Sequence, residues 1–151
     1  MNDKPRPSLR DLALRALSRR EYSRQELQRK LRQSAEPDEL EPLEALLDEF
    51  VQRGWISDSR YAEQVAFARR NKFGSLRVAQ ELRQQGVSDS LIDEALQPLR
   101  ENELATAWAV WQKKFSGPPT DMKERAKQMR FLQSRGFSAE VIRRVLGRDD
   151  D

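Results

Sequence analysis

The segment LRQQGVSDSLIDEAL at residues 82–96 aligns without a gap with LQSRGFSAEVIRRVL at residues 132–146, at a constant offset of fifty residues. Leu82 pairs with Leu132, Gly86 with Gly136, Val87 with Phe137, Ser88 with Ser138, Ile92 with Ile142 and Leu96 with Leu146. These are the positions that physics makes repeat. An apolar residue closes one helix, a glycine supplies the left-handed conformation at its C-terminus, an apolar residue packs over the turn, and a serine caps a second helix that carries two core contacts. The same helix, glycine, cap, helix grammar used twice at a fixed period points to a repeat architecture.

Working outward, the remaining sequence is also helical in its periodicity. Leu9, Leu12, Ala13, Ala16 and Leu17 form one stripe, with Ser8 and Asp11 at capping-box spacing. Ser23 and Glu26 have the same spacing ahead of Leu27 and Leu31, and that helix should end near Pro37. Leu40, Leu43, Leu47, Phe50 and Val51 mark a third helix stopped by Gly54. A second group opens at Asp58 with Tyr61, Ala62, Val65 and Ala66, breaks at Phe73-Gly74, resumes with Val78, Ala79 and Leu82, and ends in the helix that Ser88 caps. The third carries Leu104, Trp108, Trp111 and Phe115, then a helix capped by Thr120 with Met122, Ala126, Met129 and Leu132, then one capped by Ser138. The reading is all-α: nine helices and no strand, arranged as an elongated array of three tandem three-helix repeats at 8–57, 58–99 and 100–147. A flexible N-terminal segment, 1–7, and an acidic tail, 148–151, flank them.

Composition excludes several functions. The 151 residues contain no Cys and no His, which removes disulfides, thiolate or imidazole metal sites and nucleophile–imidazole pairs. The glycines never form a phosphate-cradling loop with its lysine. Acidic clusters at Glu36-Pro37-Asp38-Glu39 and Asp149–Asp151 read as solvated loop and tail rather than Mg²⁺ sites, so no enzyme, metal or cofactor is expected. No apolar run approaches the roughly twenty residues of a membrane span, and MNDKPRPSLR lacks the apolar middle of a signal peptide, so a soluble cytoplasmic protein is expected.

The net charge of +3 conceals alternation along the chain. Blocks 1–33, 34–59, 60–83, 84–104, 105–148 and 149–151 carry +6, −7, +4, −4, +7 and −3. In a repeat array such alternation gathers basic blocks on one face, which suits a polyanion or an acidic protein partner. Arg60, Arg69, Arg70, Lys72, Arg77 and Arg83 lie on consecutive helices of the middle unit, close enough in sequence to converge, with Glu63 and Glu81 as the available intrachain partners. Lys113, Lys114, Lys123, Arg125, Lys127 and Arg130 make a similar set in the third unit, and Arg19, Arg20, Arg24, Arg29 and Lys30 in the first. Partner contact is assigned to the middle set together with Lys113, Lys114, Lys123 and Lys127. Trp55, Trp108 and Trp111 are read as core rather than as base-stacking platforms, from their places in an apolar stripe and behind a helix-ending glycine. A DNA-reading helix pair at 23–57 is the weaker alternative, since no Asn, Gln and Arg set opens a recognition helix there.

SRREYSRQELQRKL at 18–31, GWISDSRYAEQVAFARR at 54–70, FGSLRVAQELRQQGVS at 73–88 and RFLQSRGFSAEVIRRVL at 130–146 resemble the RecX regulatory proteins of bacteria, in the family's order and spacing over nearly the whole chain. The resemblance implies tandem three-helix repeats. It also implies binding to the RecA recombinase and its filament on single-stranded DNA, with suppression of filament growth, ATP hydrolysis, strand exchange and RecA-assisted repressor cleavage, and so modulation of recombination, repair and the SOS response. Separately from the resemblance, a monomer is expected. The alternative from charge alone is a helical module that binds single- or double-stranded DNA without RecA. An inert scaffold bound through acidic helices is a third.

Overall fold

The computed structural model describes residues 5–147, so the expected acidic tail and the first part of the expected N-terminal segment lie outside the described residues. Nine α-helices and no strand occur among them: α1 (Leu9–Arg19), α2 (Arg24–Arg32), α3 (Leu40–Gln52), α4 (Asp58–Arg69), α5 (Ser75–Gln84), α6 (Asp89–Glu101), α7 (Glu103–Lys114), α8 (Met122–Ser134) and α9 (Ala139–Leu146). A single 3₁₀ turn, Pro37–Glu39, leads into α3.

Local chemistry starts and stops these helices. Ser8, Ser23, Ser57, Ser88 and Ser138 each accept the main-chain amide three residues on, at 3.0–3.4 Å, satisfying one of the donors a helix leaves open at its N-terminus. α8 departs from expectation, because its cap is Asp121 rather than Thr120. The Asp121 carboxylate accepts the Glu124 amide at 2.7 Å and places negative charge at the positive end of the helix. Gly54, Gly86 and Gly136 end α3, α5 and α8 with φ of +74°, +78° and +89°, where a Cβ would be strained.

The helices bury their apolar stripes in three separate cores. Leu27, Leu43, Leu47 and Phe50 centre the first, Ala62, Val78, Leu82 and Leu96 the second, and Ala107, Leu132, Phe137 and Ile142 the third. Trp111 belongs to the last, its indole Nε1 donating to the buried Gln128 Oε1 at 2.8 Å. The other two tryptophans correct the sequence reading. Trp108 is 44% exposed, stacked on Trp111 at 5.1 Å, because the small Ala107 takes the inward position of α7 beside Trp111. Trp55 is 41% exposed and packs edge-on to Phe50, since the turn at Gly54 turns Ile56 inward instead.

One junction is built twice between the units. At the first, the Ser23 hydroxyl donates to the Gln85 carbonyl (2.7 Å) and the Arg24 amide to Asp58 Oδ1 (2.9 Å). At the second, the Gly74 amide donates to the Arg135 carbonyl (2.7 Å), the Leu76 amide to the Gly136 carbonyl (3.1 Å) and the Ser75 amide to Glu103 Oε1 (2.8 Å). In both, the N-terminus of a middle helix (α2, α5) meets the C-terminal turn of the next unit's middle helix (α5, α8). A carboxylate from the first turn of the next unit's first helix takes one further open amide. Positive helix ends therefore meet negative ones.

Candidate polyanion interface

The second junction shapes a surface cleft between the α4–α5 turn, α7 and α8. Asn71 and Lys72 come from the turn, Lys113 and Lys114 from the last turn of α7, and Phe131 and Arg135 from the end of α8, around about 240 Å³. Lys72 is set by the turn itself, whose Lys72 and Phe73 amides donate to the Arg69 carbonyl at 3.0 and 3.1 Å. Arg135 is set by the junction, since its carbonyl is the acceptor of the Gly74 amide. Residues far apart in the chain thus meet because the middle helices dock end to end.

The cleft is strongly positive. Lys72, Lys113, Lys114 and Arg135 line it, no carboxylate does, and among the described residues these four form no ion pair. Cations also interleave with rings. The Arg135 guanidinium lies 5.1 Å from the Phe131 ring centre and 5.7 Å from that of Phe73, Arg77 covers Phe73 at 4.2 Å, and Lys114 sits 5.7 Å from Phe131. Phe131 is itself held edge-on by Phe115 at 5.4 Å. Ring faces orient these cations, and those of Arg135 and Lys114 keep their N–H groups available to phosphate or carboxylate oxygens.

The basic residues singled out from sequence separate into two kinds. Lys72, Lys113 and Lys114 meet in the cleft. Arg77 stands beside it, donating to the Ser134 carbonyl at 3.0 Å. Arg60, Arg69 and Arg83 are instead occupied within the chain. Arg60 pairs with Glu21 at 2.8 Å and with the Gly54 carbonyl, Arg69 with Glu81 at 3.1 Å, and Arg83 with Asp89 at 3.4 Å. Glu81 hydrogen-bonds Arg69 and raises its pKa, holding it charged. Of the two expected acidic partners, Glu81 pairs and Glu63 does not among the described residues; Glu21, from the turn between α1 and α2, and Asp89, from the start of α6, take the other two arginines because the fold brings them within reach. Arg70 folds over the Phe67 ring at 3.6 Å and donates to the Phe67 carbonyl at 2.6 Å. Lys123 and Lys127 precede Phe131 by two turns and one turn of α8, so they continue its row toward the start of the helix.

Arg135 and Phe131 are cleft residues that sequence reasoning missed. The signal for Arg135 lay in the repeat itself, where it immediately precedes Gly136 as Gln85 precedes Gly86. At Glu36-Pro37-Asp38-Glu39, the Glu39 carboxylate accepts the Glu36 amide (2.9 Å) and Arg6 (2.5 Å), which together hold its pKa below the usual carboxylate range.

Comparison with known proteins gives one family. The third three-helix domain of RecX matches residues 101–146 and the second matches 57–96. A regulatory protein RecX of Chromobacterium violaceum is 49% identical over 116 residues, 76% of this chain and 75% of that protein. That of Leptothrix cholodnii is 43% identical over 146 residues, 96% of this chain and 91% of its own. The crystal structure of RecX from Lactobacillus salivarius superposes with a TM-score of 0.77 at 20% identity, covering 91% of this chain and 92% of that one, a likeness of fold.

Proposed function

Because the chain belongs to the RecX family of regulatory proteins, we propose that it binds RecA assembled on single-stranded DNA and restrains filament growth, and with it ATP hydrolysis, strand exchange and repressor cleavage. In this reading residues 8–57, 58–99 and 100–147 act as three linked units in the cytoplasm, and the chain contributes no chemistry of its own. The observation that carries it is the cleft at the second junction, where Lys72, Lys113, Lys114 and Arg135 present unpaired charge to a polyanion. Of the residues assigned to partner contact from sequence, those in or beside this cleft (Lys72, Lys113, Lys114 and Arg77) are the ones proposed to act. Lys123 and Lys127 extend the track along α8. No helix among the described residues is long and apolar enough to cross a membrane.

The test is binding of the purified chain, at near-physiological salt, to RecA on single-stranded DNA with a non-hydrolysed ATP analogue, against bare DNA of equal length. Preference for the filament, with slowed filament extension at matched concentration, is the expected result. Equal or tighter binding to bare DNA would make the chain a nucleic-acid module that acts without RecA.

A further inference from the structure

Next to the basic cleft, and separated from it by Asn71, which lines both, lies a second and larger recess of about 510 Å³ between α4, α6 and the start of α7. Its character is opposite. The floor is apolar and made of small or buried groups, Ala66, Ala95 and Leu99. One wall is Phe67, which is 65% exposed although it belongs to a helix whose other aromatic, Tyr61, is buried. Arg70 covers one face of the Phe67 ring at 3.6 Å, so the ring is held in place by a side chain rather than by the core. The carboxylates on this recess belong to Glu63 and Glu94, and among the described residues neither forms an ion pair.

We propose that this groove receives a segment of a partner protein that presents an apolar side chain beside a lysine or arginine. The apolar side chain lies on Ala66, Ala95 and Leu99 against the open face of Phe67, and the neighbouring cation pairs with Glu63 or Glu94. Charge decides the class of occupant: the two unpaired carboxylates outnumber the one cation of the recess, Arg70, which is folded onto the Phe67 ring and carbonyl. They repel phosphate, so a nucleic-acid strand following the Lys72–Lys113–Lys114 cleft is turned away at Asn71. An exposed phenylalanine above a concave apolar floor is the kind of anchor on which protein interfaces concentrate their affinity.

The two recesses together would read a composite surface, phosphate on one side of Asn71 and basic-apolar protein on the other. This deepens and rests on the reading in the previous section. It accounts for how a basic chain can favour a nucleoprotein over bare nucleic acid, a preference that phosphate contacts alone do not confer.

The experiment compares the wild-type chain, a groove variant (Phe67→Ala with Glu63→Lys and Glu94→Lys) and a cleft variant (Lys72→Glu, Lys113→Glu, Lys114→Glu) for binding to RecA–DNA filament and to bare single-stranded DNA. All substituted positions are exposed, and thermal unfolding checks that each variant folds. The groove variant is expected to bind the filament about tenfold more weakly while binding bare DNA as well as wild type or better, whereas the cleft variant loses both. A photo-crosslinking residue in place of Phe67 should attach to the recombinase; attachment to DNA, or only to a second copy of the chain, overturns the proposal. A groove variant that binds filament like wild type sinks the groove and leaves the regulator reading intact. A wild-type chain with no filament preference sinks that reading, and the groove's partner with it.

Discussion

The carboxylate of Glu103, at the first residue of α7, accepts both the main-chain amide of Ser75 (2.8 Å) and its hydroxyl (3.0 Å), across the boundary between the second and third cores. Both residues are buried. One acidic side chain thus caps α5, the helix whose N-terminal glycine offers no side-chain cap of its own. Removing it leaves a buried amide and hydroxyl without an acceptor. Glu103→Ala should destabilise the chain by about 1–3 kcal/mol, and Glu103→Gln, which keeps an acceptor oxygen, by less; urea denaturation of the two variants checks the order.

Gly74 and Gly54 should respond to alanine for different reasons. Gly74 has φ of −83°, which alanine adopts freely, but its Cβ would collide with the Gly136 carbonyl and lie 2.7 Å from the Phe137 amide. Gly54 has φ of +74° and open space around it. Gly54→Ala should therefore cost about 1–2 kcal/mol of backbone strain alone. Gly74→Ala should cost more and separate the second and third units, visible as earlier hydrogen exchange at the Leu76 amide.

Tyr61 is held neutral. Burial, aided by Glu26 and Glu81, pushes its pKa from 10.0 up to about 12. The folded chain binds the phenolic proton more tightly than the unfolded chain, so this contribution is intact below pH 10 and is lost as pH rises toward 12. Denaturation at about pH 9 and about pH 11 should show a larger loss for wild type than for Tyr61→Phe.

The ion pairs divide the arginines by expected effect. Arg69→Ala breaks the pair with Glu81, whose side chains are 42% and 33% exposed, and should change stability by less than about 1 kcal/mol while leaving DNA binding in place. Lys72→Ala with Lys113→Ala should instead flatten the salt dependence of single-strand binding, by about 0.7 in the log–log slope for each phosphate no longer neutralised. Titrations from low to physiological salt would distinguish the two. An equal slope in both variants would mean that the cleft does not meet phosphate.

Helices and their ends were legible because they are local. The serine caps at 8, 23, 88 and 138 and the terminal glycines at 54, 86 and 136 were all read from spacing, and each acts through hydrogen bonds or φ angles within a few residues of itself. Exposure was less legible. Trp108 fits an apolar stripe on a helical wheel, yet Ala107 takes the inward place, because which part of a wide stripe faces the core depends on the neighbouring helix.

Charge pattern located the basic blocks but not their use. Whether an arginine is free depends on which carboxylate reaches it in three dimensions: Glu21 reaches Arg60 from 39 residues away, and nothing in the order of residues announces it. The sequence by itself determined the helices, their boundaries and their repetition, since these follow from backbone conformation and side chains a turn apart. The tertiary structure alone decided that Lys72, Lys113, Lys114 and Arg135 share a cleft, and that Asn71 divides it from an acidic, apolar groove. The cleft follows from the end-to-end docking of α5 on α8, whose hydrogen bonds join Gly74 to Arg135 although the two are far apart in the chain, and the groove from the packing of α4 against α6 and the start of α7.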